Sequence, residues 1–472
     1  VAYFVSLTAD ETASTVGQLR IDQRLTVALR RGQQPVGVDS AGPPVVLVLT
    51  ESGVGGPRRL QFLGVRARHN IVGPVDRSIT IEPLRECMQT IYWEGPVGNL
   101  LDRLPKGLAS DADRDAPRGA VGECDRDVWS AVEGLLREGH PELGPLLDWL
   151  LAQANQVVFD DSPADQSWQE QQDATRTVVR IAGFPPSAVA AWDRPPGRDD
   201  PYLAGVIPQP PEHSLIEHDI RAAGVAFDMA AQLANEPGAR CHIHVLRDNE
   251  GRQLEIANVN AIGVEHRTGT DMLYYYQPTE SFVLVQYKRI DPVKRFTLVD
   301  ARLRSQLTRL EKVASLSRSA QGPDDWRLAG DPCFLKLAYW PQSDSGLQVD
   351  GLAPGMYLPV SYVRLLLEDA CTGDDEQRHL GYPQVARHIV NTQFIELVRN
   401  GLAGTVGVTR DQLLDLVIER TAAGSSMVVA IESSRESAKA RHQRAHSRKR
   451  NTKPYTQLTF AQPTLFDGEV TG

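Results

Sequence analysis

One stretch, residues 263–289 (GVEHRTGTDMLYYYQPTESFVLVQYKR), constrains this chain more than any other. Met272–Tyr276 and Ser281–Lys288 read as two neighbouring strands, with Gln277, Pro278 and Thr279 marking the turn between them. Gly269 and Asp271 lead into the first strand. Side chains alternate faces along a strand. Phe282, Leu284, Gln286 and Lys288 therefore share one face, and Ser281, Val283, Val285 and Tyr287 the other. An amide and an ammonium closing an apolar face need partners or water. Asp271, entering the adjacent strand, is the candidate partner.

The order Gly269-x-Asp271, fourteen further residues, then Gln286-x-Lys288 resembles the core of the PD-(D/E)xK nuclease superfamily. It most resembles the restriction-endonuclease branch (Mrr-like and Holliday-junction-resolvase-like) in which Gln stands for the usual Glu. The competing reading is an ordinary hairpin with a polar end. The resemblance implies an α/β chain, α+β overall, with a restriction-endonuclease-like mixed sheet flanked by helices over 211–320. It also implies a metal-dependent DNA endonuclease serving bacterial defence or restriction. Asp271 and Gln286 would hold Mg²⁺ (or Mn²⁺), since a carboxylate and an amide carbonyl are hard oxygen ligands. Lys288 would serve the attacking water or the developing phosphate charge. Only eight of the 50 basic residues are lysines, so Lys at this position is itself notable. In the superfamily a helix before the first core strand often supplies a further carboxylate. Glu217 is the candidate, with Asp228 behind it, and Glu265 is another. Members often dimerise to cut both strands, so a homodimer is expected. The alternative is a non-catalytic DNA-binding or sensor protein that retains the fold.

A length of 472 residues exceeds what one core supports, so several domains are expected. The sequence divides into a β-rich region 1–105, a helical and Pro-rich connector 106–210, the nuclease-like core 211–320, an α/β or helical region 321–430, and a basic disordered tail 431–472. A net charge of −10 does not announce a nucleic-acid binder, but charge distribution matters more than the sum. The five cysteines are scattered with no CxxC pair, so neither a zinc site nor a disulfide framework is indicated, and reduced thiols in a cytoplasm are expected. No run of 18 apolar residues occurs, so no membrane partner is expected. The start, VAYFVSLTADE, lacks a basic segment followed by an apolar one, so no signal peptide is expected. An initial Val fits translation from a start codon other than ATG in a bacterial gene.

Along the first region, Ala2–Leu7, 45–50, 60–68 and 78–84 read as strands and Thr15–Arg30 as an amphipathic helix, together a small barrel or sandwich. Arg66, Arg68, His69, Tyr92 and Trp93 are base-reading candidates, although a solvated edge and core aromatics explain them as well. Residues 106–124 read as a linker or long loop. Asp125 and Ser162 are N-cap candidates for helices over 128–137 and 165–181, with another over 145–158. Trp129, Trp149 and Trp168 fall at helical core positions. The main domain boundary is expected in the proline-rich segment 185–211, anchored by Trp192, Tyr202, Leu203 and Val206. His242 and His244 share a strand face but lack a third metal ligand nearby. A helix over 298–316 carries Arg302, Arg304 and Arg309; Arg302 and Arg309 are candidate phosphate contacts.

Residues 333–340 read as a strand, 355–369 as an extended entry into a helix, and 385–405 and 410–420 as helices. The tail segment 435–453 carries eight Lys or Arg against one Glu, an electrostatic arm for DNA in an acidic chain, with Arg448, Lys449 and Arg450 at its centre. Finally, Gln462-Pro463-Thr464-Leu465-Phe466 resembles the Q-x-x-L-F peptide by which bacterial proteins dock on the DNA sliding clamp, with Gln462, Leu465 and Phe466 as the docking residues. The competing reading is a tail strand packing back on the body.

Overall fold

The structure is a computed structural model. It describes residues 2–22, 24–28, 45–67, 78–154, 159–160, 162–207, 239–247, 252–261, 270–291, 295–297, 301–328, 330–340, 352–368, 379–422, 426–433 and 457–459. The chain divides into two compact units, 1–156 with 448–472, and 157–447. The division falls near 156, not in the proline-rich segment. The physical reason is burial: Trp192, Tyr202, Leu203 and Val206 sit in the second unit's core.

The first unit is one open seven-stranded sheet, not the barrel or sandwich expected from its strands. Its strands are β1 (Ala2–Leu7), β2 (Leu25–Ala28), β3 (Val45–Glu51), β4 (Arg58–Ala67), β5 (Ser78–Tyr92), β6 (Val121–Cys124) and β16 (Gln457–Thr459). They are ordered β16-β2-β5-β4-β3-β1-β6. Helices α1 (Ala9–Asp22), α2 (Leu100–Arg103), α3 (Lys106–Asp115), α4 (Arg126–Gly139) and α5 (Gly144–Ala154) accompany it. The helix expected over 15–30 is α1, which ends at Asp22. Thr26 and Val27 are β-branched, and β2 pairs antiparallel with β5 instead of continuing the helix. Residues 106–124 are no linker: α3 buries Ala112, and Val121 pairs with Val5 across β1 and β6. Asp125 caps α4 as expected, its side chain accepting from the Asp127 amide.

The second unit is built on a seven-stranded mixed sheet ordered β13-β12-β10-β9-β15-β8-β7. The strands are β7 (Ala239–Arg247), β8 (Gln253–Ala261), β9 (Thr270–Tyr276), β10 (Ser281–Arg289), β12 (Cys333–Ala338), β13 (Gly355–Pro359) and β15 (Ser426–Ser433). A two-stranded ladder joins β11 (Arg295–Thr297) and β14 (His379–Gly381). Pairing is parallel between β10 and β12 and between β9 and β15, and antiparallel elsewhere in the large sheet. The chain is thus mixed α/β with mixed sheets.

Both faces of this sheet are covered, which is why its strands read as near-continuous apolar runs. One face packs α6 (Pro163–Ala182), α9 (Asn391–Arg399) and the proline-rich segment against Met272, Tyr274, Val283, Val285 and Val428. The other packs α7 (Ala301–Ala314), α8 (Val360–Glu368) and α10 (Arg410–Ala422) against Leu273, Phe282, Leu284, Leu335 and Val429. Helix α6 starts where its sequence says: the Ser162 hydroxyl accepts from the Asp165 amide, Pro163 occupies the first turn, and Gly183 ends it in the left-handed conformation. The helix expected over 385–405 begins only at Asn391. Ile389 is held extended by a bridge to Tyr357.

Candidate nuclease-like site

Strands β9 and β10 bring the expected residues together. Asp271 and Gln286 are direct partners in the antiparallel register. Side chains so paired stand on one face with Cβ atoms about 5 Å apart. Asp271 is 1% exposed and Gln286 3%. Lys288 lies on the same face two residues further out, about 7 Å along the strand, and is half-buried. The face is apolar up to this point, through Phe282, Leu284, Leu273 and Tyr275. The three polar groups therefore close one end of a dry layer.

The electrostatics are asymmetric. Asp271 Oδ2 accepts from Arg420 Nε at 2.7 Å and lies 2.6 Å from Arg420 Nη2. Asp271 Oδ1 and Gln286 Oε1 are buried and accept no hydrogen bond among the described residues. Unsatisfied buried oxygens of this kind cost about 1–3 kcal/mol each. They are the two atoms that a hard cation would take as ligands. The donor set therefore fits Mg²⁺ or Mn²⁺ in chemistry: one carboxylate oxygen and one amide oxygen, both hard ligands. Among the described residues no three Asp, Glu, His or Cys side chains converge as a metal cluster. Cys333 packs nearby with its thiol pushed well up by burial, the Arg420 charge opposing. It stays a thiol and supplies no anion.

Two residues of this site escaped sequence reading. Arg420 sits 149 positions from Asp271 on α10, and only the fold makes them neighbours. Glu170 on α6 works from the opposite face of the sheet. Its Oε2 accepts from the Thr270 amide at 3.0 Å and its Oε1 from Arg289 Nε at 3.2 Å. It thereby clamps the residue before Asp271 to the residue after Lys288. The signal was present in α6, which carries Asp165, Glu170, Gln171 and Asp173 on a buried helix. Polar groups buried in a helix imply partners, but the sequence does not say which.

The remaining candidates separate cleanly. Glu217, Asp228, Glu265 and Gly269 lie outside the described residues, as do Arg68, His69, Arg448, Lys449, Arg450, Gln462, Leu465 and Phe466. Arg302 is on α7 with its side chain outside them, and Arg309 is exposed on the same helix. Of the base-reading candidates, Trp93 is fully buried against Phe4, and Arg66 lies over the Tyr3 ring. Trp93 is core. His244 is buried with Nε2 at 3.1 Å from the Leu203 carbonyl, and its ring centroid is 5.4 Å from that of His242. Residues 457–459 form an edge strand parallel to β2. None of the described helices is long and apolar enough to cross a membrane. No protein-family model, no curated protein and no solved structure matches this chain, so the site stands on its own geometry.

Proposed function

We propose that the chain is a metal-dependent DNA endonuclease of bacterial defence, with Asp271, Gln286 and Lys288 at its centre. The observation that carries this reading is the register pair Asp271–Gln286, two buried residues paired across β9 and β10, each with a side-chain oxygen that has no donor among the described residues. Two features of the fold support it. The polar end lies on adjacent antiparallel strands, and α7 crosses over to return β12 parallel to β10. One feature departs from the simplest nuclease core, because β15 inserts between β8 and β9.

Asp271 Oδ1 and Gln286 Oε1 would hold the cation. When bound it supplies a Lewis acid for a phosphoryl oxygen and lowers the pKa of a bound water. Lys288, half-exposed at the polar end of the strand, would place an ammonium where phosphate charge develops. Arg420 fixes the Asp271 carboxylate through Oδ2 and leaves Oδ1 free to coordinate. Arg304 and Arg309 on α7 are exposed on the same side of the sheet and suit sequence-independent phosphate contacts.

A second reading has its own observation. The Arg420 guanidinium already balances Asp271, so the edge is also consistent with a DNA-binding protein that cuts nothing. Plasmid cleavage with Mg²⁺, Mn²⁺ or EDTA, on unmethylated and modified DNA, decides between them. The nuclease reading expects metal-dependent nicking that falls about 100-fold or more in Lys288→Ala. Retained DNA binding without cleavage in the wild type favours the second reading.

A further inference from the structure

At the other end of β9 and β10 a cavity of about 390 Å³ opens. It is lined by Tyr274, Tyr276 and Ser281 from the strands, by Trp326 and Arg327 from the loop after α7, and by Asn400 after α9. Tyr276 lies five positions along β9 from Asp271, about 17 Å at strand rise. The two sites are therefore distinct. We propose that this cavity binds a nucleoside monophosphate unit, either free or at the end of a nucleic-acid strand.

Three observations carry the proposal. The first is size: cavities of about 300–1,000 Å³ are those that hold small organic ligands. The second is the pair of adjacent residues Trp326 and Arg327. Trp326 is 57% exposed although it lines the cavity, an unspent aromatic face of the kind on which a base stacks. Arg327 beside it is half-buried. Its Nη1 donates to the Asp324 and Trp326 carbonyls and its Nη2 to the Thr405 carbonyl, and its buried Nε has no partner among the described residues. Among the described residues no carboxylate reaches it at ion-pair distance. Burial lowers the Arg327 pKa, and the charge of Asp325, itself paired with Arg318 at 2.6 Å, acts against this. An anion held there would make charge-assisted bonds. The other charges at the cavity do not compete. Arg399 is paired with Glu396 at 3.0 Å, and Asp324 is exposed, where water and salt screen it.

The third observation is preorganisation. The loop carrying Trp326 and Arg327 is tied at both ends to the segment after α9. Arg318 donates its amide to the Val406 carbonyl at 3.1 Å, and Leu328 to the Leu402 carbonyl at 2.9 Å. Within the loop, Arg318 Nη1 bonds Asp325 at 2.6 Å. A ring and a cation fixed beforehand lose little freedom on binding. A nucleoside monophosphate offers both complements at once, a planar base for Trp326 and a phosphate for Arg327.

Isothermal titration calorimetry on the full chain tests this with adenosine monophosphate, adenosine, inorganic phosphate and a 5′-phosphorylated trinucleotide. The proposal expects saturable one-to-one binding of adenosine monophosphate or the trinucleotide with Kd below about 1 mM. Saturation by the trinucleotide alone assigns the site to strand ends. Arg327→Met should weaken the phosphorylated probe about tenfold and leave adenosine unaffected, and Trp326→Ala should weaken both. Trp326 is exposed, so that variant should keep the wild-type Tm. Lys288→Ala should bind as wild type, which keeps this test independent of the nuclease reading. Absence of saturable binding by either phosphorylated probe, or equal binding in the wild type and both variants, overturns the proposal.

Discussion

Two carboxylates lie on opposite faces of the same sheet, and they are treated differently. Asp173, on α6, is closed. Its Oδ1 accepts from the Ala353 amide at 2.6 Å, and its Oδ2 accepts from Tyr287 at 2.8 Å and from the Lys336 ammonium. Lys336 is fully buried, 5.1 Å from the Tyr287 ring centroid and 4.9 Å from that of Tyr357. Burial pulls the Lys336 pKa down, and Asp173 more than offsets it, so the ammonium stays charged. Asp271, on β9, is open. One oxygen is held by Arg420 and the other has no donor among the described residues, nor has the oxygen of its register partner Gln286. A buried ion pair whose lone pairs are all satisfied is a structural element. Under the proposed function, the buried oxygens without donors beside a half-exposed lysine are the place for the cation. The comparison teaches that the two buried carboxylates differ in completeness, and the proposed function uses the incomplete one.

The comparison can be broken first at the closed carboxylate. Asp173→Ala leaves Lys336 buried without a counter-charge and should cost about 3–5 kcal/mol of unfolding free energy. Chemical denaturation measures it, and a double variant Asp173→Leu with Lys336→Met should recover most of the loss. A cost under about 1 kcal/mol would mean the pair is not the closed element described. The same substitution at the open carboxylate should cost less, since Arg420 is nearer solvent. Asp271→Ala is expected to lose about 2–3 kcal/mol and to abolish metal-dependent cleavage, with stability but not cleavage returning in Asp271→Ala combined with Arg420→Met. Glu170 sharpens the contrast further, because it touches the site only through the strands. Glu170→Gln keeps an acceptor for the Thr270 amide but loses the charge facing Arg289, an expected loss of about 1 kcal/mol. Cleavage by this variant should fall only a few-fold. A loss as deep as that of Lys288→Ala would place Glu170 in the chemistry itself.

The smallest effect concerns pH. Burial raises the Glu255 pKa to about 7, against the lowering influence of its Gln253 partner and of Arg410 and Arg247. The folded state then holds this proton more tightly than the unfolded chain does. The sign follows by linkage: the contribution is full below the unfolded pKa of about 4.3 and is lost as pH rises through about 7. Glu255→Gln should flatten that part of the stability–pH curve. An unchanged slope in the variant would show that the carboxyl is not held protonated.

Much of this was legible in the sequence, and the limits have physical causes. The hairpin of β9 and β10 follows from two apolar runs punctuated by Gln277, Pro278 and Thr279, and the facing of Gln286 and Lys288 from the strand's period of two, both local properties. The N-caps Asp125 and Ser162 were equally local. The strand Ser426–Ser433 went unread although it pairs with both β8 and β9. Its run SMVVAIES is buried on both faces, and periodicity alone does not separate such a short run from a buried helical segment. Arg420 and Glu170 were missed because ion pairs between distant segments leave no spacing in the sequence. The segment 106–124 misled because its Gly, Asp and Pro residues resemble a linker, while its few apolar residues are all the sheet needs from it.

The claim that rests on the open carboxylate is that Asp271 and Gln286 exist to hold a divalent cation. Thermal unfolding with Mg²⁺ or Mn²⁺ against NaCl of equal ionic strength, in the wild type and in Gln286→Leu, tests it without any choice of DNA. A cation that binds only the folded state at ten times its Kd stabilises by about 1.4 kcal/mol. The account predicts a rise in Tm for the wild type that is absent in Gln286→Leu. No rise in the wild type, or the same rise in both proteins, would contradict it.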